Sequence, residues 1–188
     1  MATLTSSGLS KSFGGLRAVQ NVSFTARPGR ILSIIGPNGA GKTTVFNLLT
    51  GFIAADSGTV QLDGRSLAGM FPEDRCRAGL ARTFQVVQPF RGLTVLENVV
   101  MGAMLRTSSI AEAREAAAAL LADLGMSQLA GMRAGSLPIG DRKRREMAKV
   151  LATRPSAMLR AAVMGGAIPV AVQRISPFIL VLHARVLR

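Results

Sequence analysis

A chain of 188 residues with 48% apolar side chains can bury one core and a small appended subdomain, which excludes a disordered or low-complexity protein. A single cysteine, Cys76, excludes an intramolecular disulfide framework and suits a reducing compartment. The net charge of +13 raises a nucleic-acid reading, yet residues 147–188 carry Lys149, Arg154, Arg160, Arg174, Arg185 and Arg188 with no acid at all. The basicity is thus in large part missing acid in one segment, without interleaved aromatics for base stacking, and no nucleic-acid partner is expected.

The amino terminus, Met1-Ala2-Thr3-Leu4-Thr5, has neither a basic nor a long apolar region, so no signal peptide is expected. The longest apolar run, Ala161 to Val172, falls short of the ~20 residues a membrane span needs. Leu9 to Phe24 reads as two strands around a Gly14-Gly15 turn. Phe13, just ahead of that turn, is either core packing or an aromatic placed to stack on a base. Ile31-Leu32-Ser33-Ile34-Ile35 is a short apolar run behind a Pro28-Gly29 turn, as a buried strand should be.

The stretch that follows carries the chemistry. Gly36-Pro37-Asn38-Gly39-Ala40-Gly41-Lys42-Thr43-Thr44 fits the pattern G-x-x-x-x-G-K-[ST]. Phe46, Leu48 and Leu49 continue at helical spacing, and Gly51 stands where the helix would stop. A strand that turns through glycines into a helix leaves backbone N–H groups without acceptors. Together with the positive helix end, those donors cradle phosphate oxygens. In such a loop Lys42 reaches the β- and γ-phosphates and the Thr43 hydroxyl ligates Mg²⁺.

Farther along, Gly58 to Gly64 reads as a strand ending in an Asp63-Gly64 turn, and Gly79 to Gln85 as another short strand. Ser109-Ile110-Ala111-Glu112 has the pattern of a capping box, followed by a helix to Leu124 with Gly125 as its stop. Its apolar stripe comprises Ile110, Ala113, Ala117, Leu120, Leu121 and Leu124, a core face. After Leu137-Pro138-Ile139-Gly140-Asp141, residues 142–152 read as an amphipathic helix that stops before Pro155. The basic run Arg142-Lys143-Arg144-Arg145 reads as its solvated face.

In this order the motifs resemble the ATP-binding subunit of ABC importers, in particular the branched-chain amino acid group, from about Thr3 to Pro155. The resemblance implies a P-loop α/β fold: a mostly parallel sheet, an N-terminal antiparallel β-subdomain and an inserted helical subdomain, incomplete at the carboxyl end. Residues 1–93 would form the nucleotide-binding core, 94–136 the helical subdomain, and 137–188 the signature motif, its helix and a degenerate strand region. It implies ATP and Mg²⁺ as cofactors, with Phe13 stacking on adenine and Gly36 to Thr44 holding the phosphates. Gln85 stands at the loop that senses Mg²⁺ and γ-phosphate, so Thr43 and Gln85 form the expected metal set. Leu137 to Asp141 resembles the signature motif, whose Pro138, Ile139 and Gly140 would cap the γ-phosphate held by a second ATP-binding subunit. The other implied partners are membrane permease subunits and, indirectly, a periplasmic binding protein. The subunit would be cytoplasmic, peripheral on the inner face of the membrane through the permease.

Past Pro155 the chain departs from the pattern. The family follows the signature helix with a strand ending in Asp-Glu, which serve Mg²⁺ and the attacking water. Those positions fall on Ala161 and Ala162, with Arg160 where the strand should be apolar, so no general base is expected. The chain reaches Arg188 before the strand that would carry the family's switch histidine, and His183 falls on an expected helix. The resemblance therefore implies import energised by ATP binding and hydrolysis, with hydrolysis impaired here. The alternatives are a non-catalytic nucleotide-binding or permease-docking subunit, and the non-functional product of a damaged or misread gene.

Overall fold

The computed structural model describes residues 2–84, 90–161 and 180–186. They fall into two compact units, one holding the chain up to Arg82 together with the strands beyond Ser156, the other built from Thr83–Pro155. The first unit contains two sheets. In the antiparallel sheet, β1 (Leu4–Phe13) pairs with β2 (Leu16–Ala26) on one edge and with β4 (Ser57–Leu62) on the other, and β4 continues into the short β5 (Arg65–Ser66). The β1–β2 register runs from Leu4↔Ala26 to Phe13↔Leu16, so the expected hairpin closes through Gly14-Gly15.

The second sheet has the order β3-β8-β7-β6, from β3 (Ile31–Gly36), β6 (Leu80–Thr83), β7 (Ala157–Ala161) and β8 (Leu180–Val186). The inner strand β8 runs parallel to both neighbours. This corrects the expected helix around His183. Leu180-Val181-Leu182 is an apolar run of the kind found in buried parallel strands, and so short a run does not by itself separate helix from strand. Helix α1 (Lys42–Thr50) leaves the end of β3 and closes at Gly51. Phe46, Leu48 and Leu49 from α1 pack with Leu4, Leu9, Leu62, Leu80 and Leu159 in one core. From α2 (Pro72–Arg77) the buried Arg75 donates through Nη1 to the Leu48 and Leu49 carbonyls at 2.8 and 2.7 Å. A cation thus meets the open carbonyls at the negative end of α1.

The second unit is helical and lies between β6 and β7 in the chain. It contains α3 (Val95–Ala103), α4 (Ile110–Asp123) and α5 (Ile139–Ala152). Gly102 lets α3 and α5 approach closely, since a Cβ there would sit 2.2 Å from the Lys149 carbonyl oxygen. Ala113, Ala117 and Leu121 of the expected stripe are buried against Val95, Val99, Ala148 and Ala152. Ile110 is 68% exposed, because it stands at the first turn, outside that packing. The reciprocal capping box is also elsewhere, at Thr94 and Glu97. Ser109 does accept from the Glu112 N–H at 3.3 Å, but the Glu112 carboxylate turns to the Thr107 hydroxyl at 2.6 Å.

Candidate functional site

The glycine-rich loop carries β3 into α1. Gly36 is buried at the strand end, and Pro37, Asn38, Gly39 and Ala40 are exposed in the curve. Gly41 caps α1 at φ 73°, and a Cβ there would lie 2.3 Å from the Ala18 carbonyl oxygen of β2. Only glycine satisfies both conditions. The Val45 N–H takes the Gly41 carbonyl at 2.9 Å, while the N–H groups of Lys42, Thr43 and Thr44 precede any intrahelical acceptor. No capping side chain covers them and no acid stands in the first turn. The Lys42 ammonium donates to the Gly36 and Pro37 carbonyls at 2.8 and 2.5 Å, which holds it inside the curve of the loop. Among the described residues these three donors have no acceptor, and with the helix end and the Lys42 ammonium they form a constellation suited to phosphate oxygens.

Phe13 ends β1 at the tip of the hairpin whose second strand supplies the Ala18 carbonyl against Gly41. Phe13 is 48% exposed, so core packing, the ordinary role for an aromatic, does not account for it. The Lys11 ammonium lies 5.7 Å from the ring centroid and pairs with Asp56 at 2.6 Å. Hydrogen bonds from Lys11 and from the Ser12 N–H hold the Asp56 carboxyl below its ordinary range.

Thr43, the first expected Mg²⁺ ligand, is exposed at the start of α1. Gln85, the second, lies outside the described residues, as does Ala162. β7 is buried through Ala157, Met158 and Leu159, as an inner strand should be, and then carries Arg160. Arg160 is half-buried, and its Nη1 has no hydrogen-bond partner among the described residues. Desolvation draws its pKa below the ordinary arginine value. No group of three metal-ligating side chains occurs among the described residues.

Pro138, Ile139 and Gly140 form the exposed start of α5 in the helical unit. Pro138 is the N-cap and makes no side-chain capping bond, so this end offers backbone donors alone. Asp141 in the first turn offsets the helix dipole there and pairs with Arg144 at 3.2 Å.

One group escapes a reading of the sequence. Arg145 is not on a solvated face but fully buried, donating to Asn98 Oδ1 at 2.8 Å and lying 3.4 Å from the Glu146 carboxylate. Asn98, also buried, accepts from the Phe90 N–H and donates to the Phe90 and Thr94 carbonyls. Periodicity carries the signal: Arg145 precedes the buried Ala148 and Ala152 by three and seven residues, on one stripe.

The family model described as ABC transporter matches residues 19–160. The high-affinity branched-chain amino acid transport ATP-binding protein LivG of Salmonella typhimurium is 40% identical over 171 residues, 83% of this chain and 67% of that protein. The corresponding protein BraF of Pseudomonas aeruginosa is 38% identical, over 81% of this chain and 66% of that one. Among solved structures, the ADP conformation of MJ1267, an ATP-binding cassette of an ABC transporter, has a TM-score of 0.82 at 28% identity. That match covers all of this chain and 83% of the other. A nucleotide-free cassette matches with a TM-score of 0.81, also at 28% identity, covering all of this chain and 82% of the other.

Proposed function

The chain belongs to the ABC transporter family, and from that premise we propose that it is the ATP-binding subunit of an importer of branched-chain amino acids, with ATP hydrolysis impaired. The observation that carries this reading is the loop itself. Lys42, Thr43 and Thr44 present three uncommitted N–H groups beside the Lys42 ammonium. On binding a triphosphate, the ammonium exchanges two loop carbonyls for phosphate oxygens. The N–H groups, fixed by the Gly41 turn, need no rearrangement. The exposed ring of Phe13 supplies a face for adenine.

The solute follows from the LivG and BraF likeness and is chosen by partners, not by this subunit. Those partners are a second ATP-binding subunit, facing the Pro138–Gly140 helix start, and permease subunits in the membrane, with a periplasmic binding protein beyond them. The position proposed for the chain is cytoplasmic, held at the membrane through the permease; among the described residues no helix is long and apolar enough to cross a membrane. Impaired hydrolysis rests on Ala161 and Ala162, which cannot accept a proton from water. The Mg²⁺ that accompanies ATP in this family supplies charge neutralisation at the transferring phosphate. Here its described protein ligands reduce to the Thr43 hydroxyl, without the carboxylate such a site uses.

Titration calorimetry of the chain with ATP tests the reading. Saturable binding that Lys42→Ala weakens at least ~10-fold is expected, since the variant loses a charge-assisted contact. Equal affinity in parent and variant would refute the site.

A further inference from the structure

At the tip of the β1–β2 hairpin the regular ladders of the antiparallel sheet give out. On the β4 side the last register pair is Ser10↔Ser57, so Lys11, Ser12 and Phe13 extend past it. On the β2 side Lys11 pairs with Val19 and Ser12 with Arg17, which leaves Ala18 as the extra residue of a bulge. The Ala18 carbonyl is the one that stands against Gly41. Phe13 pairs with Leu16, two residues or about 7 Å along β2 from that contact. The bulge thus sets the hairpin against the phosphate loop, with Phe13 just beyond it.

Asp56, one residue ahead of β4, continues the interrupted ladder. Its N–H donates to the Ser10 carbonyl at 3.0 Å, and one carboxylate oxygen accepts from the Ser12 N–H at 2.7 Å. The other oxygen holds the Lys11 ammonium at 2.6 Å. The bond from Lys11, and after it the bond from Ser12, lowers the pKa of this carboxyl, so the clamp is closed at neutral pH. Lys11 and Phe13 are alternate residues of one strand and share a face. The tethered ammonium stands over the Phe13 ring, 5.7 Å from its centroid.

One carboxylate therefore fixes the backbone just ahead of Phe13 and, through Lys11, the ring itself. A half-exposed aromatic otherwise spreads over several rotamers, and a base that stacks on it has to order it. Ordering the ring before the ligand arrives removes that cost from binding.

We propose that Asp56 is a positioning residue for the nucleotide base: it makes no contact with the ligand and acts through Lys11 and the ring of Phe13. This rests on the nucleotide reading above, and a ligand without a base separates the two. Calorimetry on the whole chain compares ATP with inorganic tripolyphosphate, which offers phosphates alone. The parent, Asp56→Ala, Phe13→Ala and the double variant are measured, with Lys42→Ala as the control for the site. Asp56→Ala is expected to weaken ATP about fivefold or more, a part of what a stacked base contributes, and to leave tripolyphosphate within about twofold. Where Phe13 is already alanine, the same change should weaken ATP by less than about twofold, because the ring through which Asp56 acts is gone. Equal losses for both ligands, no loss for ATP, or a fivefold loss that persists without Phe13 each overturn the inference and leave the nucleotide site standing. Absence of Lys42-dependent binding of either ligand in the parent overturns the site and the inference with it.

Discussion

At Gly41 two requirements meet, a left-handed backbone and room for the Ala18 carbonyl at 2.3 Å from where a Cβ would stand. Gly41→Ala should cost about 1–2 kcal/mol from the backbone alone, with the overlap added. Loss of ATP binding together with a lower thermal midpoint checks it. Arg160 is the opposite case, a residue the fold bears at a cost. Its Nη1 is buried without a partner among the described residues, and such a group costs about 1–3 kcal/mol. Arg160→Leu should therefore raise the thermal midpoint by a few degrees, ~2–4 °C per kcal/mol for a chain of this size. No rise would mean that the guanidinium gains as much from solvent as leucine gains from packing. The loop and Arg160 were legible in the sequence because each is local, a contiguous motif and a charge in an apolar run. Arg145 was not, because three neighbouring cations masked its place on the buried stripe.

The helices show what spacing leaves open. Ser109-x-x-Glu112 and Thr94-x-x-Glu97 share one pattern, yet only the second closes reciprocally, since Thr107 captures the Glu112 carboxylate. Thr94→Ala should lower stability by about 1 kcal/mol, read by chemical denaturation. The Thr94 N–H, then its hydroxyl, holds the Glu97 carboxyl below its ordinary pKa, with Arg114 and Arg133 adding to the effect against a small opposing burial. A depressed folded pKa means that this contribution is complete above the ordinary glutamate value and fades as pH falls below it. Glu97→Gln should flatten that part of the acid unfolding profile. The Arg145–Asn98 contact joins α5 to the segment Phe90–Thr94, and Arg145→Ala removes one side of a buried charged group. A loss of about 3–5 kcal/mol in denaturation by circular dichroism is expected. Strand β8 was hidden for a related reason: four or five apolar residues suit a helix or a strand until the neighbours β3 and β7 are known.

On the proposed function, the whole chain joins an intact phosphate loop to an altered acidic side. The ABC transporter family model matches residues 19–160, a span that contains the glycine-rich loop. Two thirds of the LivG relative is represented in the chain's length. Binding and turnover need different parts of such a protein. On the proposed function, backbone donors and Lys42 hold phosphate, whereas hydrolysis also needs an oriented water and a proton acceptor. A positioned base contributes about 10²–10⁴-fold, so a chain with alanines at both acidic positions should bind ATP and scarcely turn it over. The most direct measurement follows ATP binding and phosphate release on one preparation of the chain, beside Lys42→Ala and a relative that carries both acids. Saturable, Lys42-dependent binding with turnover at least ~10²-fold below that relative is expected. Vigorous phosphate release abolished by Lys42→Ala would contradict it.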